Sequence, residues 1–170
     1  VSGEDWLVVD GYNIIMANPQ YSEDWEVARD ELIHDLLEYQ AVSGMKTFVV
    51  FDAYRMKGQR LKTNNQKIEV IFTDNEETAD SWIEQFVRKN KTENRRIYVA
   101  TSDFLEQRMI LGLGAYRISA RELIDQINQS KRRVREQVNQ KHTQKTTKNP
   151  IWESIPEAIR NKLEKLRRKK

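Results

Sequence analysis

Apolar and polar positions alternate along this chain in two rhythms. Five short apolar runs, at about 6–10, 46–52, 67–72, 96–101 and 115–118, read as strands. Three of them are nearly continuous in apolar residues, which suits parallel strands covered on both faces. Helical spacing alternates with them. Residues 25–42 place Val27, Leu32, Leu36 and Leu37 on a stripe, and Gly44 follows as a stop. Residues 77–91 gather Ala79, Trp82, Ile83, Phe86 and Val87 on one face, and residues 103–113 run from a capping Asp103 to Gly112 and Gly114. Ser119-Ala120-Arg121-Glu122 is a capping box that opens a long helix through Leu123, Ile124, Ile127 and Val134 to about 140. Strands alternating with helices predict an α/β fold with a mostly parallel central sheet.

Beyond 140 the pattern changes. Residues 141–150 lack a large apolar side chain and read as a linker. Ser154-Ile155-Pro156-Glu157 is a second capping box, with Pro in the first turn of a basic helix at 151–170. The expected organisation is a domain over 1–140, a linker at 141–150 and a basic helical extension. No apolar run approaches the ~20 residues that span a bilayer. The first residues lack the basic-then-apolar pattern of a signal peptide, and there is no cysteine. A cytoplasmic protein, monomeric and without membrane contact, is expected.

Charge sharpens this. The net charge of +3 hides two opposite halves: residues 1–126 carry 15 Lys/Arg against 22 Asp/Glu, and residues 127–170 carry 14 against 4. An acidic body with a basic tail points to a polyanion partner held by the tail, with a solvated charged helix as the plainer reading.

The acids fall in informative places. Asp10 ends the first apolar run, Asp52 closes the second, and Asp103 follows Ile97–Ser102. Carboxylates at the carboxyl ends of adjacent parallel strands are brought together by the fold, at the edge where α/β sheets keep their working clefts. They would repel unless a cation or a shifted protonation state relieved them. Asp80, between small Ala79 and Ser81, adds a fourth acid near a helix start, with Glu77 three residues earlier on the same expected face. Simple helix capping accounts for one or two of these. Oxygen ligands without His or Cys suit Mg²⁺ or Mn²⁺ rather than zinc, and such ions activate water for attack on phosphodiesters.

Asn13 could orient a ligating carboxylate, or merely close a turn. Arg55, Lys57, Arg60 and Lys62 make the loop after the second strand basic, with Tyr54 for stacking and Lys67 beyond. That loop could clamp a nucleic-acid backbone or be a loop of scattered charge. Arg121 opposes the dipole at the start of the long helix, which suggests an anionic partner. Arg132 and Arg133 continue the basic character. His34 and His142 read as surface residues, and Trp152 as a residue that docks onto the domain.

Four motifs in order carry a resemblance: Asp10-Gly11-Tyr12-Asn13, Val50-Phe51-Asp52, Glu77-Thr78-Ala79-Asp80 and Thr101-Ser102-Asp103. Together they resemble the NYN domain, a PIN-like nuclease fold, and within it the bacterial YacP group, which includes a ribosome-associated endoribonuclease. Ser119–Leu123 also matches that group, and the likeness spans about residues 5–135. The resemblance implies a PIN-like three-layer α/β/α fold and a metal-dependent endoribonuclease. It implies that Asp10, Asp80 and Asp103 bind Mg²⁺ or Mn²⁺, that Asp52 and Glu77 support them, and that Asn13 is accessory. It further implies cleavage of messenger RNA, not DNA, at the ribosome, with the basic loop and tail as RNA contacts. Two other functions remain open: a non-catalytic RNA- or ribosome-binding module, and a phosphatase with an aspartyl nucleophile. The latter chemistry wants a second acid where this chain has Tyr12.

Overall fold

The computed structural model describes residues 4–52, 67–146, 156 and 157. Five strands, β1 (Glu4–Asp10), β2 (Lys46–Phe51), β3 (Ile68–Phe72), β4 (Arg95–Ala100) and β5 (Tyr116–Ile118), form one sheet in the order β3-β2-β1-β4-β5. All four pairings are parallel. The helices are α1 (Gly11–Ala17), α2 (Trp25–Ser43), α3 (Ala79–Asn90), α4 (Phe104–Gly112) and α5 (Ala120–Thr146).

Strand alternation sorts the side chains into two cores. Leu7, Val9, Val49 and Phe51 pack with residues of α1, α2 and the start of α5, including Ile14, Leu32, Leu36, Leu123 and Ile127. Trp6, Val8, Phe48 and Val50 face the other way, onto Ala79, Ile83 and Val87 of α3 and Ile110 of α4. Both sheet faces are therefore covered, which is why the central strands read as unbroken apolar runs. The fold is the expected three-layer α/β/α arrangement, with a sheet that is wholly parallel.

Strand order reverses at β1, whose neighbours are β2 on one side and β4 on the other. In such sheets the crevice at the reversal, beyond the carboxyl ends of the strands, is where ligands bind. Asp10 ends β1 at this point.

Two differences from expectation stand out. Asn13 does not close a turn: Gly11-Tyr12-Asn13 opens α1, capped by Asp10 and buried through Tyr12, Ile14 and Ile15. At the other end, α5 continues past 140 to Thr146, into the segment read as a linker. The chain divides into two compact units, Val1–Lys131 and Arg132–Lys170. Of the tail at 151–170, Trp152 included, only Pro156 and Glu157 lie among the described residues.

Glycine is required at position 11 for space. A Cβ there would overlap the ring of Phe51, which is wholly buried in the core beside Tyr12. Gly11→Ala is expected to lower stability by about 3 kcal/mol through overpacking, read as the midpoint of urea unfolding. An unchanged midpoint would mean that the start of α1 and Phe51 of β2 do not approach as described. Gly44, by contrast, ends α2 at φ 71°, a left-handed conformation.

Candidate active site

Three helix starts converge on the carboxyl edge of the sheet, and each brings an acid. Asp10 is buried at the end of β1, where its Oδ1 accepts from the backbone N–H of Asn13 at 3.4 Å. Asp80 lies in the first turn of α3, whose cap is Thr78. Asp103 caps α4, its Oδ1 accepting from the N–H groups of Leu105 at 2.8 Å and Glu106 at 3.1 Å. That cap sets Glu106 in the first turn of α4 with its carboxyl turned inward, where only 3% of the residue is exposed.

Carboxyl oxygens of Asp10, Asp80 and Glu106 all lie within 4.8 Å of one another. Among the described residues neither oxygen of Glu106 has a well-shaped hydrogen bond, although the Asp80 carboxyl stands close enough to share a proton with it. Thr101 stands close enough to favour the charged form but forms no well-shaped bond to it. Burial, and then the nearby charges of Asp10 and Asp80, push the Glu106 carboxyl up to about 8. Asp80 is also raised, first by burial and then by the charges of Asp103 and Asp52. These are the marks of acids crowded without a counter-charge. The cleft between α3 and α4 has a volume of about 360 Å³ and is lined by Thr78, Asp80, Ser81, Glu84, Asp103 and Glu106, with Leu105 and Met109. None of these lining residues is basic. The positive ends of the α3 and α4 dipoles offset a fraction of the negative charge. An all-oxygen set with a buried carboxylate fits a hard dication such as Mg²⁺ or Mn²⁺.

Other expected site residues hold this geometry in place. Asp52, just past β2, accepts from the N–H of Ala79 and so fastens the start of α3 to the sheet edge. Asn13 Oδ1 accepts from both the N–H and the Oγ of Ser102, each at 2.6 Å, and so fixes the loop between β4 and α4. Thr101 continues that loop: its Oγ1 accepts from the N–H of Asp103, and its carbonyl from Gln107 Nε2. Asp103 lines the cleft at its rim but lies outside the three-carboxylate group, with Oδ1 given to capping.

Glu77 differs from expectation. It precedes the cap Thr78 instead of sharing a helix face with Asp80, and its N–H donates to the carbonyl of Asp74. Its side chain lines a separate cavity beside Trp82 and Phe86. The chain turns at Asp74–Glu77, so the helical phase counted back from Asp80 does not apply there.

Arg121 is exposed in the first turn of α5, next to a complete capping box. The Ser119 N–H donates to Glu122 Oε2 at 2.7 Å, and the Glu122 N–H to Ser119 Oγ at 3.1 Å. Arg132 and Arg133 are exposed further along the helix. Arg55, Lys57, Arg60 and Lys62, with Tyr54, lie outside the described residues. His34 is exposed on α2 in a second group with Asp35 and Glu38, where Asp35 is committed to Lys131 and Tyr21.

Sequence reasoning missed Glu106. The signal was present: Asp103-Phe104-Leu105-Glu106 has capping-box spacing after a strand. A reciprocal bond from the Asp103 N–H is not needed here, because Thr101 Oγ1 accepts it. Glu106 is thereby free to face the cluster.

Comparison with known proteins agrees with this fold. A family model described as the YacP-like NYN domain matches residues 7–168. The chain is 45% identical over 138 residues to an uncharacterized protein of Bacillus subtilis (strain 168), YacP, covering 79% of this chain and 81% of that protein. It is similar to the crystal structure of Rae1 (YacP) from Bacillus subtilis, with a TM-score of 0.75 and 40% identity over 97% of this chain and 95% of that one. A tryptophan-to-leucine variant of the same protein matches with a TM-score of 0.73 and 37% identity, over 95% of this chain and 99% of that one.

Proposed function

The chain belongs to the YacP-like NYN domain family, whose members are nuclease-like, and from that premise we propose that it is a metal-dependent endoribonuclease that hydrolyses phosphodiester bonds of messenger RNA at the ribosome. The observation that carries the reading is the convergence of Asp10, Asp80 and Glu106 oxygens within 4.8 Å. A carboxylate set this close is costly alone and useful around a dication.

Asp10, Asp80 and Glu106 would hold Mg²⁺ or Mn²⁺, with Asp103 at the rim of the same cleft. When bound, the ion neutralises the acids, binds the phosphate oxygens and makes water a better nucleophile. The protein supplies position. Asp52 holds α3, and with it Asp80, against the sheet edge. Asn13 and Thr101 hold the loop that leads into α4, and so set the cap Asp103 and, in the first turn, Glu106. Glu77, on a separate cavity, acts on neither and is a residue of the turn before α3. Arg55, Lys57, Arg60, Lys62, Arg121, Arg132 and Arg133 are the candidate RNA contacts, since cations are needed to draw a polyanion towards an acidic cleft. A cytoplasmic, ribosome-associated monomer is part of the same proposal. No helix among the described residues is long and apolar enough to cross a membrane. A non-catalytic RNA- or ribosome-binding module is the weaker reading, because bare carboxylates repel phosphate.

The test is cleavage by the purified full chain of one message, translated and untranslated, with Mg²⁺, with Mn²⁺ and with EDTA. Discrete cuts are expected in the translated message with either metal, fewer in the untranslated one, and none in EDTA. RNA bound but uncut under every condition would support the binding module.

A further inference from the structure

The cleft between α3 and α4 has two unlike halves. Its inner end is acidic, where Asp80 and Glu106 meet. Its outer wall turns apolar at Leu105 and Met109. Leu105 is 74% exposed and the neighbouring Phe104 66%. Single exposed apolar residues are common and carry no message. Here two stand in succession in the first turn of α4, directly after the cap Asp103, and nothing among the described residues covers them. Facing this wall is Glu84, whose Oε1 is held by Arg88 at 2.7 Å. Both Arg88 bonds, from Nε at 3.1 Å and from Nη2 at 2.7 Å, go to Oε1 and leave Oε2 as an acceptor. An apolar wall with a carboxylate acceptor across the same cleft, beside the buried Glu106, suits a flat heterocycle with N–H donors.

We infer that this outer half is the pocket for an unpaired nucleobase adjoining the scissile phosphate, with Leu105 and Met109 as its apolar wall and Glu84 as its polar edge. The inference rests on the nuclease reading and deepens it: the acids place the phosphate, and the pocket selects the base beside it. Phe104 extends the apolar surface at the rim. The base leaves its stack to enter, which single-stranded RNA permits at low cost. Specificity would then come from α4 and α3 themselves, independently of the basic segments that hold the backbone.

The test is a map of cleavage ends in a pool of translated messages, for the full chain as wild type, Leu105→Ala, Glu84→Gln and the inactive Asp80→Asn as background. Wild type is expected to show a base bias at one position flanking the cut. Leu105→Ala, at an exposed site that leaves melting unchanged, should weaken the bias at that position by about tenfold, as loss of one apolar contact to a base does. Glu84→Gln should change which base is favoured, because an amide offers an N–H where the carboxylate offers only acceptors. Wild-type cuts whose bias is absent, unchanged in both variants, or weakened alike at every position would overturn the pocket while leaving the nuclease standing. No wild-type cuts above the Asp80→Asn background would overturn the nuclease reading, and the pocket with it.

Discussion

Asp80→Asn should reduce RNA cleavage by about a thousandfold or more while leaving the fold intact. The residue sits in the first turn of α3 with its side chain in the cleft, and it is not part of either apolar core. The cap of that helix is Thr78, whose Oγ1 accepts from the Ser81 N–H, and Asp52 anchors its first residue. The amide is the same size and cannot carry the negative charge that a dication needs. It also removes one of the crowded carboxylates, so melting in the absence of metal should hold or rise. Asp10→Asn should behave alike, because Asn is as good a helix cap as Asp. The assay is cut-site mapping against melting temperature. Full cleavage in both folded variants would move the site elsewhere.

Glu106→Gln should separate stability from activity. In the absence of metal the folded protein holds the Glu106 proton up to about pH 8, against an ordinary value of 4.5. Between those values the folded state binds a proton that the unfolded state has released. Stability therefore falls as pH rises through that window, by at most about 1.4 kcal/mol per pH unit. Gln removes that slope. In EDTA at pH 8 the variant should outlast wild type by a few kcal/mol, on the order of 10 °C in melting temperature, and the two should converge near pH 4.5. Adding Mn²⁺ should raise wild-type melting at pH 8 and leave Glu106→Gln nearly unmoved. Cleavage by the variant should be lost with the metal response. Parallel pH profiles for the two proteins in EDTA would show that Glu106 is not crowded as described.

The sheet was legible in the sequence because its central strands are buried on both faces, which leaves runs such as Leu7-Val8-Val9 and Phe48–Phe51 apolar at both parities. The carboxyl-edge acids followed from the parallel arrangement alone. What escaped is local geometry set by distant partners. Gly11-Tyr12-Asn13 carries turn residues, yet it winds as α1 because Asp10 caps it and the β1–β2 core takes Tyr12 and Ile14. The start of α3 falls at Ala79 because Asp52, far back in the chain, accepts its N–H. Glu77 is left outside the helix by the same boundary. Glu106 was hidden by its neighbour, since the sequence cannot say that Thr101 would relieve it of capping.

The most direct test is a crystal soaked in Mn²⁺, with the anomalous signal used to place the ion. A peak among the carboxylates of Asp10, Asp80 and Glu106, absent from crystals of Asp80→Asn, is the expected result. A well-diffracting crystal with no density there, or with manganese only at His34, Asp35 and Glu38, would contradict the claim that the sheet edge is built to hold a dication.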